Sequence, residues 1–210
     1  MNDLLTFLLL SSFVVMSPGV DTALITKRTV SEGQASGYRM ALGITTGSLV
    51  HTFAAAFGLS AILMQSALAF EIVKYVGAIY LIYLGVSSFM TRKKQETEEN
   101  LKDQIKPGQS AFKQGLLSNV LNPKVAMFFL TFFLTFLPQF VTPGSSSIQQ
   151  LLMMGVIYTF LSISWFFVYV FFINYLRSWL LSAKVQRAMD RATGLVLIGF
   201  GVKLAFSKQN

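Results

Sequence analysis

Six apolar stretches run along the chain, near Leu4–Thr26, Met40–Met64, Ala67–Met90, Gly115–Leu137, Ile148–Asn174 and Ala192–Phe206. Most approach the roughly 20 residues that an α-helix, rising about 1.5 Å per residue, needs to cross a hydrocarbon core of about 30 Å. No other feature limits the fold so strictly. A segment in lipid must satisfy its backbone polar groups internally, which leaves helices or a closed barrel, and continuous runs of this length specify helices. The sixth stretch, at about 22 Å, spans if Lys203 snorkels or the bilayer thins. The first follows Met1-Asn2-Asp3 with no basic segment before it and no small-residue cleavage site after it, and reads as a retained span.

Composition enters as an exclusion. Charged residues are 12% of the 210, apolar residues 53%, and the mean hydropathy is +0.58. That is too little polar surface to cover a soluble domain, which excludes a soluble enzyme, a disordered region and an ordinary nucleic-acid binder. The absence of cysteine excludes disulfides, thiolate metal sites and iron–sulfur clusters, and one histidine leaves little for zinc. No enzyme activity, cofactor or bound metal is expected. The expected class is an all-α integral membrane protein.

Orientation follows from the basic residues. Lys27, Arg28 and Arg39 lie between the first two stretches, and Arg92, Lys93, Lys94, Lys102, Lys106 and Lys113 between the third and fourth. Arg177, Lys184, Arg187 and Arg191 lie between the fifth and sixth, while the loops near Gln65–Ala69 and Gln139–Ser147 have none. With a net charge of +8, this sorting predicts six spans with the basic loops cytoplasmic and both termini outside the cell membrane. The polar segment Thr91–Ile105 reads as a solvated linker. The expected organisation is one transporter domain over residues 1–210: repeat one 1–90, a cytoplasmic linker 91–114 and repeat two 115–210.

The halves resemble one another. Leu9-Leu10-Ser11 leads to Ser17-Pro18, and Leu116-Leu117-Ser118 leads to Asn122-Pro123, half the chain later. Each half ends in a glycine-rich span, Gly77–Val86 and Gly194–Val202. Three spans per unit is an odd number, so the copies must be inverted, an arrangement associated with secondary transporters. Proline interrupts each first helix, and Ser17 and Asn122 are good N-caps with proline at the first position of a restarted helix. Amides at such a restart can hold an anion. Helix counting puts Ser17 about 10 Å and Asn122 about 10 Å from the cytoplasmic boundary, so broken helices one and four can meet.

Asp21 follows one break and Lys124 the other. They could pair with each other, Asp21 could sit at the interface near Lys27, or the two could hold a zwitterion, with Asp21 taking the ammonium and Lys124 and the restarted amides the carboxylate. His51 lies about 17 Å into the second span and is either a packing residue or a proton carrier. Gly33–Gly37, Gly43–Gly47 and Ala54–Ala56 read as close helix packing.

Ser17-Pro18-Gly19-Val20-Asp21, Gly43-Ile44-Thr45-Thr46-Gly47 with His51, Lys74–Leu81, Asn119-Val120-Leu121-Asn122-Pro123-Lys124 and Phe136-Leu137-Pro138-Gln139-Phe140 resemble, in order, the LysE/RhtB family of bacterial amino-acid exporters. Val20 stands where that family usually has a second proline. The resemblance implies efflux of amino acids or close derivatives by proton antiport, the alternative being a divalent-cation exporter of related fold. The paired breaks and their motifs give an expected binding site of Ser17, Pro18, Gly19, Asp21, Asn119, Asn122, Pro123 and Lys124, with Asp21 and His51 the candidate proton-coupling residues. The implied partners are the small-molecule substrate, protons and the lipid bilayer, without nucleic acid; a homo-oligomer stays open.

Overall fold

Leucine, phenylalanine and alanine runs with few internal breakers give long helices, and glycine, proline and serine set where they end. The computed structural model describes residues 2–65, 67–90, 110–122, 125–126, 128–131, 146–180 and 182–206. Among these the helices are α1 Asn2–Met16, α2 Val20–Glu32, α3 Gln34–Gln65, α4 Ala67–Met90, α5 Ala111–Val120, α6 Ser146–Phe171, α7 Ile173–Leu180 and α8 Ala183–Phe206, with no strand. The Thr91–Ile105 linker, the loop around Gln139 and much of the expected fourth span lie outside the described residues.

Among the described residues three stretches are long and apolar enough to cross a membrane: Gln34–Gly58, Glu71–Phe89 and Ile148–Phe171. The bent pair Phe7–Met16 and Val20–Glu32 makes a fourth if it counts as one broken span. Large apolar side chains cover the outside. On α4 alone Leu68, Ile72, Tyr75, Val76, Ile79, Tyr83 and Val86 are exposed along one stripe. Water would penalise that surface, and lipid does not. The molecule is a multi-pass membrane protein.

Several helix ends depart from the hydropathy reading. The first span does not stop at Thr26; α2 continues to Glu32 and turns at Gly33, whose φ of 87° suits a residue without Cβ. Gly33 is therefore a turn residue and not a packing one. The short sixth stretch is the end of the 24-residue α8, about 36 Å long. Its polar first turns are helical because Ser182 stands at the N-cap: the Val185 amide donates to Ser182 Oγ at 3.4 Å and the Gln186 amide to the Ser182 carbonyl at 3.0 Å.

Glycine decides the packing. A Cβ on Gly85 of α4 would lie 2.7 Å from the Gly194 carbonyl oxygen of α8, and one on Gly201 would lie 2.8 Å from the Ala78 carbonyl oxygen. The two glycine-rich spans thus meet backbone to backbone and run antiparallel. In lipid, where apolar burial gives no drive between helices, such approach supplies dispersion contact instead. α3 is central. Gly43 and Gly115 bring it against α5, with Gly43 on the Phe112 carbonyl and Gly115 on the Met40 carbonyl, and these helices run parallel. Gly37 and Gly155 bring α3 antiparallel to α6. One apolar core joins Phe7 and Val15 to Leu81, Leu151, Met154 and Leu197; a second joins Leu24, Ile25, Met40, Ile44, Tyr169 and Val170.

Gly85→Val should overpack the α4–α8 contact and destabilise the protein by about 1–3 kcal/mol, whereas Gly199→Val, where a Cβ meets nothing within 4 Å, should not. Thermal unfolding of the two variants in detergent checks the difference.

Candidate functional site

Pro18 cannot donate to the α1 ladder, and the chain breaks there with a bend of 49°. The Ser17 amide still donates to Phe13 and Val14 carbonyls at 3.1 and 3.2 Å, closing α1. The restart comes later than the sequence suggests. Gly19, extended at φ −160° and ψ −162°, is the N-cap of α2, and its carbonyl accepts from the Ala23 amide at 2.9 Å. Ser17 is therefore not the cap and Pro18 not the first helical residue. The Ser17 hydroxyl instead pairs with Thr193 Oγ1 of α8 at 3.1 Å. In the other half the Asn122 carbonyl accepts from the amides of Val125 and Ala126 at 3.0 and 3.1 Å, the first bonds of a restarted helix. Pro123 and Lys124 lie outside the described residues.

The breaks meet. Asp21, in the first turn of α2, accepts a hydrogen bond from Asn119 Nδ2 at 3.4 Å, and Asn119 is 1% exposed in the last turn of α5. The Asn119 carbonyl, at the end of α5, accepts from the Asn122 amide at 3.1 Å and also takes His51 Nε2 at 3.1 Å. A carbonyl only accepts, so Nε2 carries the hydrogen of this contact. One residue thus contacts Asp21 through its side chain and His51 through its backbone. Asn119 Oδ1 is buried without a hydrogen-bond partner among the described residues. An aromatic wall completes the surroundings: His51 stacks on Phe129 with centroids 5.8 Å apart, and Phe129 meets Tyr158 edge-on at 5.1 Å. Tyr158 pairs with Ser162 and lies within electrostatic reach of Asp21.

Of the residues the sequence singles out, Asp21, Asn119 and His51 come together. Ser17, Pro18, Gly19 and Asn122 form the flanking breaks. Tyr158 and Ser162 are missed by the sequence reading, although two polar side chains four apart in an apolar span share a helix face. Gly47 is also missed as a site residue. A Cβ there would lie 2.6 Å from Asn119 Oδ1 and 2.8 Å from Asn119 Cβ, so its missing side chain is what admits Asn119.

Residues 12–208 match the family described as LysE type translocator. The chain belongs to that family. It is a transporter and not an enzyme. It is 36% identical to the uncharacterized membrane protein YrhP of Bacillus subtilis over 215 residues, covering 99% of this chain and 100% of the relative. It is 32% identical to the uncharacterized membrane protein PA4757 of Pseudomonas aeruginosa, covering 97% and 95% of the two. It is 28% identical to the leucine efflux protein of Klebsiella pneumoniae, covering 96% and 93%. No solved structure matches.

Gly47→Ala should push Asn119 away and reduce transport as far as Asn119→Ala does, with both proteins still in the membrane. Combining the two changes should add little beyond either, because both act on one contact. Initial rates normalised to membrane abundance check this.

Proposed function

We propose that this LysE family transporter exports amino acids or close derivatives across the cell membrane by proton antiport. The observation that carries the reading is the junction of a carboxylate, an amide and an imidazole where two broken helices meet. Asp21 has a neutral amide as its hydrogen-bonding neighbour, which holds its position without neutralising it. A substrate ammonium or a proton can each do that, and both cannot do so at once. Mutual exclusion at one carboxylate is the simplest form of antiport. His51, linked through the Asn119 backbone, is the second proton stop. Lys124 serves the substrate carboxylate on this reading, with Ser17, Pro18, Gly19, Asn119, Asn122 and Pro123 shaping the site and its breaks.

The wider arrangement we propose is six spans in two inverted three-helix repeats, with both termini outside. The parallel sense of α3 with α5 and the antiparallel sense of α4 with α8 are those such an order requires. Divalent-cation export finds no support among the described residues, where no group of three or more His, Cys, Asp or Glu side chains converges.

Leucine is the first probe because relatives carry that name. Inverted vesicles with an acidic lumen should accumulate labelled leucine, lose the accumulation with a protonophore and ignore removal of sodium. Indifference to the protonophore would exclude antiport. Asp21→Asn removes the charge that a proton or an ammonium would balance, and losing a charge-assisted interaction of about 3 kcal/mol should lower the rate roughly 100-fold. Lys124→Met should raise the substrate concentration needed, and His51→Asn should change the pH profile more than the affinity.

Topology has its own test in a chain without native cysteine. Cysteine at Gln104 should be protected from an impermeant thiol reagent in intact cells, and cysteine at Asn210 should react. The reverse pattern overturns the orientation.

A further inference from the structure

α2 is fastened to the second half of the chain at two levels. The upper is the Asp21–Asn119 contact. Two turns along the same helix face, about 10 Å away, Arg28 Nε donates to Gln114 Oε1 of α5 at 2.9 Å. Arg28 is 1% exposed and heads the largest fully buried side chains. It also forms an ion pair with Glu32, whose second oxygen accepts from Ser36 Oγ of α3 at 2.9 Å. Toward α6, Thr26 Oγ1 and the Tyr169 hydroxyl pair at 2.5 Å.

A static helix in this place would need only apolar packing. Burying a guanidinium against an amide and a carboxylate gives little net stability, because desolvation offsets most of the attraction. Such ties suit an interface that opens to water, where each group recovers its solvation. The ends of the segment fit a moving part: Gly19 is extended with open space where a Cβ would be, and Gly33 has a φ of 87°. We propose that Val20–Glu32 is the gate between the Asp21 site and the cytoplasm, and that Arg28 is its latch. The Arg28–Gln114 and Thr26–Tyr169 ties hold it shut in this structure and break together when the site opens inward. Arg28 is a positioning residue, acting through α2. The inference rests on the transport reading and on its orientation, but its test needs no knowledge of the substrate.

Thr22, one residue past Asp21 and 2% exposed, reports the opening. In Thr22→Cys, labelling by an impermeant thiol reagent is followed in inverted vesicles and in intact cells. Adding Arg28→Lys, which keeps the charge but loses the planar fork, or Tyr169→Phe, which removes one hydroxyl from an otherwise unchanged ring, should speed labelling from the cytoplasmic face about tenfold and leave the outer face unchanged. Both changes are mild enough to keep the fold, and Arg28→Ala should give a larger effect in the same direction. Unchanged labelling in Arg28→Lys and Tyr169→Phe overturns the latch. An equal gain from both faces marks a merely structural tie and overturns it as well, and a gain from the outer face alone overturns the cytoplasmic gate. Failure of leucine transport with faster cytoplasmic labelling would instead count against the amino-acid reading and leave the gate standing.

Discussion

α3 and α5 touch backbone to backbone because Gly43, Gly47 and Gly115 carry no side chains to hold them apart, and the polar interior is built on that approach. Helices in lipid gain nothing from hiding apolar surface from one another, so their association depends on close dispersion contact and internal hydrogen bonds. Once α5 is drawn against α3, its last turn has only one place to go. The Asn119 carbonyl meets His51 and its side chain lies over Gly47 and reaches Asp21. The packing and the site are therefore a single arrangement, and a methyl group at Gly47 disturbs both.

The spans that hydropathy reveals most cleanly are α3, α4 and α6, because their apolar runs continue past the length of a membrane crossing. The ends are less legible, and the reason is the same in each place. Lys27–Glu32 and Lys184–Arg191 read as loop because they are charged, yet both are helical. In the first, Gln114 and Glu32 take up the buried Arg28; in the second, a serine cap starts the helix before the apolar run. A tertiary partner or a cap changes the meaning of a polar residue, and neither is visible in hydropathy. Ser17 is the converse case. It has the chemistry of an N-cap, but Thr193 on a distant helix competes for its hydroxyl and Gly19 takes the capping position.

Asp21 and His51 are legible as site candidates because titratable groups deep in an apolar chain are expensive and rarely idle. Asn119 is legible only through its motif, since an asparagine before a helix break has many uses. Its place between the other two depends on contacts that link the halves of the chain, and local sequence cannot report those. Tyr158 and Ser162 are harder still. They sit in a span where hydroxyls are common, and only the fold brings Tyr158 within electrostatic reach of the carboxylate.

The junction also explains why a neutral residue suits the centre of such a site. A lysine or arginine in place of Asn119 would neutralise Asp21 permanently, and neither a proton nor an ammonium would gain from arriving. An apolar residue would leave the carboxylate without a hydrogen bond and poorly placed. An amide does the intermediate thing: it positions the oxygen and leaves the charge to be balanced by what passes through. On the proposed reading that imbalance is the coupling itself. The carboxylate is satisfied by a proton moving inward or by a substrate ammonium moving outward, and the empty, charged form is the least comfortable in a low-dielectric interior. A carrier that avoids this form returns with one passenger or the other. The same α2 helix carries Asp21 at its first turn and Arg28 two turns on, so on the proposed reading a change in occupancy at the carboxylate acts on the element that the Arg28–Gln114 tie holds.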